Sequence, residues 1–204
     1  MASRLFLLCH GMTAAQRGAR FADDEPLEDS ASTATTALKG KLPAFQRYWV
    51  SPAMRARETA HLLALEGTIE AALADSDHGR WRGRSMAEIA DKEPKSIAAW
   101  LADPSARPHG GESIRDLMSR VGAWLDGQLT AGGRSLAITH QAVIRAAIVH
   151  VLGAGAPAFW RVDVEPLSLT EFSSDGRRWN LRQRSVADEV ATKMDGRVKP
   201  GHDG

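Results

Sequence analysis

Short apolar runs, bounded by Gly, Pro or polar residues, recur along the chain and predict the strands of a sheet. The run at residues 4–9 is almost continuously apolar, as is typical of strands that are buried on both faces. Apolar and polar residues alternate further along the chain, which predicts strands with one more exposed face. The predicted strands cover residues 4–9, 46–50, 135–139, 159–164, 167–172 and 179–182.

Helical spacing of apolar residues separates these runs. A long helix follows the capping residue Ser113, with apolar positions three and four residues apart, until Gly132-Gly133 breaks it. Residues 68–83 hold many Gly, Asp and Arg and predict a loop. The other predicted helices cover residues 30–42, 54–65, 85–92, 95–102 and 143–152.

Strands that alternate with helices predict an α/β fold, a three-layer α/β/α sandwich around a mostly parallel sheet. We expect one domain over residues 1–184, in which residues 68–112 form an insertion that covers one edge of the sheet like a lid. Residues 185–204 are polar and aperiodic, and we expect a disordered tail there.

Composition narrows the function class. The 204 residues carry a formal net charge of +1, so no broad electrostatic footprint for nucleic acid or a membrane surface is present. Cys9 is the only cysteine, which favours a reducing compartment, and no apolar stretch reaches the length of a signal peptide core or a membrane span. We therefore expect a cytoplasmic protein. No cluster has metal-ligand spacing, so we expect neither metal nor cofactor.

Two predicted strands end on a histidine, and this is the main chemical signal of the chain. His10 follows the first strand and His140 follows the strand at residues 135–139. Parallel strands end at the same edge of a sheet, so both imidazoles are expected in one pocket. Arg55 lies in the first turn of a helix after Ser51-Pro52, and an acid, Asp75 or Asp77, lies in the irregular segment. These groups suit phosphoryl transfer through a phosphohistidine.

Five segments, in the right order, resemble motifs of the histidine phosphatase (phosphoglycerate mutase-like) superfamily. LCHGMT resembles that family's LRHGET, SPAMRARETA its SPLxRAxxTA, LADSDHGRWRG its LxExxxGxWEG, and THQAVIR its second-histidine motif, while GGES matches directly. These segments cover residues 8–13, 51–60, 73–83, 139–145 and 110–113.

The resemblance implies a phosphoglycerate mutase-like fold and a role for each matched residue. His10 would be the nucleophile that becomes phosphorylated, and His140 the second imidazole in contact with the phosphate. Arg55 would bind the phosphate, and Asp75 stands at the position of the family's acid, four residues before the glycine. Arg145 is expected to be structural.

The chain departs from the family pattern at three matched positions. Cys9 replaces the arginine before the nucleophile, Asp75 is one methylene shorter than the family's glutamate, and Gln141 replaces the glycine after the second histidine. We assign Gln141 to the phosphate site with Arg55. Our hypothesis is that Arg17, or else Arg82, supplies part of the missing positive charge.

Three functions follow as alternatives. The favoured one is metal-independent hydrolysis of a small phosphorylated metabolite, of which an α-ribazole phosphate type of substrate is one example by analogy. The replacement of the family arginine by Cys9 favours weak activity. The second alternative is a catalytically degenerate member of the family that binds a phosphorylated ligand or partner without turnover. The third alternative is a cysteine phosphatase that attacks through Cys9. Such an enzyme needs an arginine six residues after the cysteine, and Ala15 at that position argues against it.

Overall fold

A six-stranded mixed sheet lies at the centre of the protein. The computed structural model describes residues 2–183, and within them the strand order is β3-β2-β4-β1-β5-β6. The strands are β1 (Ser3–Cys9), β2 (Arg47–Val50), β3 (Thr68–Ile69), β4 (Gly133–Thr139), β5 (Leu169–Ser174) and β6 (Trp179–Arg182).

Four neighbouring strands are parallel, as the sequence predicts. β4 pairs in parallel with β1 and β2, and β2 pairs in parallel with β3, whereas β5 and β6 are antiparallel to their neighbours. In the register of β1 and β4, Cys9 lies opposite Thr139. The residues that follow, His10 and His140, therefore leave the sheet side by side at its carboxyl edge.

Helices cover both faces of the sheet. They are α1 (Ala14–Arg17), α2 (Asp29–Thr36), α3 (Met54–Leu62), α4 (Met86–Lys92), α5 (Pro94–Ala102), α6 (Ile114–Gly127) and α7 (Gln141–Val151). Alternate residues of β1 belong to two separate cores: Leu5 and Leu7 pack in the core that α6 and α7 cover, while Phe6 and Leu8 pack in the core that α3 covers. The period-two alternation of side chains in a strand thus produces the predicted three layers.

Two sequence predictions are wrong in detail. The strand predicted at residues 159–164 is a 3₁₀-helix, Ala156–Arg161, because Pro157 begins a helical turn and Phe159 packs into the core. The segment 68–83 is not all loop: it contains β3 and two 3₁₀ turns, and Leu73 is fully buried.

The expected domain limits, residues 1–184 with a lid insertion at residues 68–112, stay a prediction. Residues 68–112 hold the edge strand β3 together with α4 and α5, and part of this segment borders the site described below. The predicted tail, residues 185–204, lies outside the described residues. Within residues 2–183 no helix is long and apolar enough to cross a bilayer.

Candidate active site

His10 has one unprotonated ring nitrogen. Its Nδ1 lies 2.7 Å from the carbonyl oxygen of Gly11, which can only accept, so Nδ1 carries the proton and Nε2 keeps its lone pair. Arg55 Nε donates to that Nε2 at 3.3 Å. Burial, reinforced by the Arg55 charge, lowers the pKa of His10 to about 4. The ring is therefore neutral at neutral pH.

Arg55 lies in the first turn of α3 and is buried. Besides its bond to His10, its guanidinium donates to the carbonyl of Asp23 at 2.8 Å and to Asp75 Oδ2 at 2.7 Å. Thr59 ties this helix to the nucleophile loop, since its hydroxyl accepts from Gly11 N–H at 3.2 Å and donates to the Arg55 carbonyl at 2.8 Å. The guanidinium is thus fixed between His10 and Asp75.

His140 stands directly beside His10, with ring centroids 5.0 Å apart. Its Nε2 lies 2.7 Å from the hydroxyl of Ser51, and its Nδ1 is buried without a hydrogen bond, 3.4 Å from Asp75 Oδ2. Burial lowers the pKa of His140 to about 3, so this ring is also neutral at neutral pH. The ring of His140 thus keeps one buried nitrogen without a hydrogen bond, beside His10.

Asp75, rather than Asp77, belongs to this cluster. Burial by itself would raise the pKa of Asp75, but the coulombic effects of His140, in its protonated form, and of Arg55 outweigh it and hold the pKa below its usual range. Its Oδ1 also accepts from Ser76 N–H at 2.9 Å. Asp77 is half exposed and accepts from Gly79 N–H and from Arg82. The structure therefore places the aspartate of the motif, and not its rival, against Arg55.

Of the other predicted phosphate ligands, one borders the site and one does not. Gln141 lines the cavity in front of His10, and its amide donates to the Val164 carbonyl at 2.6 Å. Arg17 is exposed and forms a two-pronged pair with Glu28. Arg82, the alternative source of charge, pairs with Asp77. Neither arginine is among the residues that line the cavity.

The cavity in front of His10 has a volume of about 160 Å³. Sequence reasoning expected Arg145 to be structural and did not single out Arg20, yet both line the wall beside Trp100 and Trp160. Helical spacing could have indicated that Arg145 lines the cavity, since it follows Gln141 by four residues on α7 and lies on the same face of the helix. His78, from the predicted lid, also lines this wall.

Cys9 is not a candidate nucleophile. It is fully buried in the sheet, and burial, with the Asp75 carboxylate nearby, raises the pKa of its thiol to about 12. A thiolate is therefore absent at neutral pH. Among the described residues no group of three His, Cys, Asp or Glu side chains could hold a metal ion.

Comparison with known proteins identifies the family. The family model of the histidine phosphatase superfamily (branch 1) matches residues 5–186. The chain belongs to this superfamily, as its motifs predict.

Individual relatives support the same assignment. The "Bifunctional protein Rv2228c" of Mycobacterium tuberculosis is 31% identical over 190 residues, which cover 85% of this chain and 51% of the relative. The chain thus spans about half the length of that curated relative.

Solved structures with the same fold include phosphatases. A mycobacterial glucosyl-3-phosphoglycerate phosphatase in complex with VO3 superposes with a TM-score of 0.75 at 25% identity, covering 88% of this chain and 96% of that one. A putative alpha-ribazole-5'-P phosphatase from Escherichia coli superposes with a TM-score of 0.80 at 24% identity, covering 89% and 95% of the two chains.

Proposed function

We propose that this protein hydrolyses a small phosphomonoester through a phosphohistidine on His10. The observation that carries the proposal is the hydrogen bond from His10 Nδ1 to the Gly11 carbonyl, which leaves the lone pair of Nε2 directed toward Arg55. A neutral imidazole in this tautomer is a competent nucleophile without a metal. Phosphatases among the similar structures support the same reaction class.

In the first step, the Nε2 lone pair of His10 attacks phosphorus and the bond from phosphorus to the leaving oxygen breaks. The leaving oxygen takes the electron pair of that bond and a proton from Asp75. Arg55 and His140 Nδ1 hold the non-bridging oxygens during the transfer. In the second step, water attacks phosphorus and gives its proton to the Asp75 carboxylate, while the bond from phosphorus to His10 Nε2 breaks and its electron pair returns to that nitrogen. Phosphate and neutral His10 are released.

Substrate binding must rearrange the pairs seen in the free site. Arg55 Nε donates a hydrogen bond to the lone pair of His10 Nε2, so this lone pair is not free to attack. Asp75 is ionised because its surroundings favour the carboxylate. A bound phosphate draws Arg55 to itself, which frees His10 Nε2. The negative charge of the phosphate also raises the pKa of Asp75, so that it can take up the proton that the leaving group needs.

The size of the cavity supports a small substrate. Its volume of about 160 Å³ is below the roughly 300–1,000 Å³ of common ligand pockets. We propose a phosphorylated metabolite as the substrate and the cytoplasm as the compartment. A single reduced and buried cysteine fits that compartment.

Steady-state assays with p-nitrophenyl phosphate test the proposal directly. His10→Ala is expected to lower kcat by at least about 10³-fold, because it removes the group that forms the covalent intermediate. His61→Ala, which changes an exposed histidine of α3, is the matched control and keeps the parent rate. Quenching in alkaline SDS after mixing with ³²P-labelled substrate should trap an acid-labile, base-stable phosphoprotein only when His10 is present.

Two results would overturn hydrolysis through His10. One is a parent protein that binds phosphate but turns over no phosphomonoester, which would establish the binding role instead. The other is full activity in His10→Ala.

A further inference from the structure

One arginine of α6 holds the backbone that leads into Asp75. Arg120 Nη1 donates to the carbonyl oxygen of Ala72 at 2.8 Å and to that of Ala74 at 3.1 Å. Ala74 is the residue directly before Asp75. A guanidinium that bonds two carbonyls of one short segment fixes the path of its backbone, because the donor directions of the group are rigid.

Strand β4 fixes the same segment from the sheet. The hydroxyl of Thr139 donates to the carbonyl of Leu73 at 2.8 Å, and both residues are fully buried. Thr139 directly precedes His140, so the backbone before Asp75 is tied to the strand that leads to the second histidine. The carbonyls of residues 72–74 are thus all held by side chains from outside the segment.

Glu112 holds Arg120 in this orientation. Its carboxylate accepts from Arg120 Nε at 2.9 Å and from Nη2 at 2.7 Å, which is the two-pronged geometry that orients a guanidinium. The backbone of Glu112 also contacts the far side of the segment, because its N–H donates to the Asp77 carbonyl at 2.8 Å. The pair therefore brackets Asp75 along the chain. Because the two charges are opposite, the pair adds no net charge to the site.

Asp75 depends on this support. An aspartate side chain has fewer torsions than a glutamate and cannot correct for a displaced backbone. Its two oxygens already accept from Ser76 N–H and from Arg55, so a shift of the segment disturbs both contacts. Arg120 does not line the cavity, and its effect on the reaction passes through the residues that it holds. A misplacement of about 1 Å caused by a distant substitution can lower the rate by about 10²-fold.

We propose that Arg120, fixed by Glu112, is a positioning residue that keeps the Asp75 carboxyl at the leaving oxygen. This rests on the proposed function, in which Asp75 protonates that oxygen. The effect of Arg120 on the rate then depends on how strongly the leaving group needs a proton. A residue that only stabilises the fold affects every substrate alike.

Two phosphomonoesters with different leaving groups provide the test. p-Nitrophenol is a far stronger acid than ethanol, so p-nitrophenolate leaves phosphorus without a proton whereas ethoxide does not. kcat/KM covers the steps up to phosphoryl transfer to His10 and excludes the later hydrolysis of the intermediate. For Arg120→Met we expect kcat/KM to fall about tenfold or more with ethyl phosphate, and less than about threefold with p-nitrophenyl phosphate. Asp75→Asn is the reference and should show the same selectivity with a larger loss.

Three further variants complete the series. Arg115→Met is the matched control, because Arg115 also lies on α6 but is exposed and donates to Ser105, and it should keep both rates. Arg120→Lys keeps the charge but not the fork, and should recover part of the rate with ethyl phosphate. Glu112→Gln should give the same selective loss at a smaller size. Adding it to Arg120→Met should cost little more, since both changes act on one contact.

Hydrogen exchange provides a measurement that needs no turnover. Ser76 N–H, which donates to Asp75 Oδ1, should exchange faster in Arg120→Met than in Arg115→Met, because the segment opens more often. Equal exchange in the two variants would overturn the positioning role, whether or not the protein hydrolyses a phosphomonoester. The Tm of each variant confirms the fold.

The kinetic outcomes separate this proposal from the proposed function. If Arg120→Met loses the same factor with both esters, or loses nothing, while Asp75→Asn is selective, the positioning role is wrong and the acid stands. If Asp75→Asn itself shows no selectivity, the acid step is wrong and the positioning role is wrong with it. A parent that hydrolyses neither ester overturns hydrolysis, and the exchange of Ser76 N–H then decides whether Arg120 positions Asp75.

Discussion

At the scale of single residues, the hydroxyl of Ser51 contacts the ring of His140 and can select its tautomer. Ser51 directly follows β2, and its hydroxyl lies 2.7 Å from His140 Nε2. Asp75 lies on the other side of the ring, 3.4 Å from Nδ1. If Ser51 donates its proton to Nε2, then Nδ1 carries the ring proton and is directed at the carboxylate and the phosphate site. Ser51 is thus a positioning residue for the contact that His140 makes.

Replacing Ser51 tests that role. Ser51→Ala removes the bond that selects the tautomer, and we expect about a tenfold loss of kcat/KM and a matching loss of phosphate affinity. Ser51→Thr keeps a hydroxyl and should recover most of both. ¹⁵N chemical shifts of the His140 ring report the tautomer directly. Unchanged ring shifts in Ser51→Ala would contradict the assignment even if the activity fell.

The thiol of Cys9 is expected to be unreactive in the native protein. A fully buried thiol with a pKa of about 12 should not react with iodoacetamide in the native protein at pH 8, and should react within minutes after unfolding in guanidinium. Mass spectrometry of the intact protein measures the modification. Rapid labelling of the native protein would show that the strand end opens, which the structure does not predict.

At the scale of elements, two loops hold the acid in place through backbone contacts. The segment with Asp75 runs on to Gly79, and it packs on the segment around Gly111. Glu112 N–H donates to the Asp77 carbonyl at 2.8 Å. A Cβ on Gly111 would lie 2.0 Å from that same carbonyl oxygen, and one on Gly79, where φ is +46°, would lie 2.3 Å from the His109 carbonyl. Glycine is required here because two backbones meet.

We therefore expect Gly111→Ala to displace the acid loop. The change should lower the free energy of unfolding by about 1–3 kcal/mol, as overpacking does, and should lower kcat more than it raises KM. Gly127→Ala is the matched control: this glycine ends α6 with no atom within 4 Å of an added Cβ, and alanine should stabilise the helix by about 0.5–1 kcal/mol. Denaturant unfolding and steady-state kinetics measure both. An active, fully stable Gly111→Ala protein would contradict this account.

At the scale of the whole molecule, buried histidines link stability to pH. Burial lowers the pKa of His10 to about 4 and of His140 to about 3, while the same groups in the unfolded chain titrate near 6.5. Below pH 6.5 the unfolded state binds more protons than the folded state, so stability falls as the pH falls from 6.5 toward 4.

Unfolding experiments across this pH range check the link. Each unit of lowered pKa corresponds to about 1.4 kcal/mol, so the loss by pH 4 should amount to a few kcal/mol. The double variant His10→Asn, His140→Asn should lose much less stability over the same range, and His61→Asn, which changes an exposed histidine, should behave like the parent. Parallel pH curves for the parent and the double variant would show that these rings do not titrate as described.

The same pKa direction predicts the activity profile. The proposed nucleophile, His10, must be neutral to attack, and its lowered pKa keeps it so down to about pH 5. The acidic limb of kcat/KM should therefore lie near pH 4 rather than near 6.5. A limb near pH 6.5 would contradict the buried environment of His10.

Much of this architecture was predictable from local patterns. The apolar run that ends at Cys9 and the run that ends at Thr139 each specify a strand and the residue that follows it. Parallel pairing of two such strands then places His10 and His140 at one edge. The ordered motifs also singled out Arg55 and Asp75, which the structure brings together beside His10. The prediction of a strand at residues 159–164 was wrong, because alternation of apolar and polar residues in a short segment does not distinguish a strand from a helical turn that Pro157 begins.

The sequence by itself determined the sheet, the order of its layers and the family, because these follow from periodicity and from motif spacing along the chain. Only the tertiary structure placed Asp75, rather than Asp77, against Arg55, kept Arg17 away from the cavity and brought Arg145 to its wall. Those outcomes depend on which side of a loop or helix faces the cavity. Contacts between distant backbones, such as Gly79 with His109, set that orientation, and no local pattern encodes them.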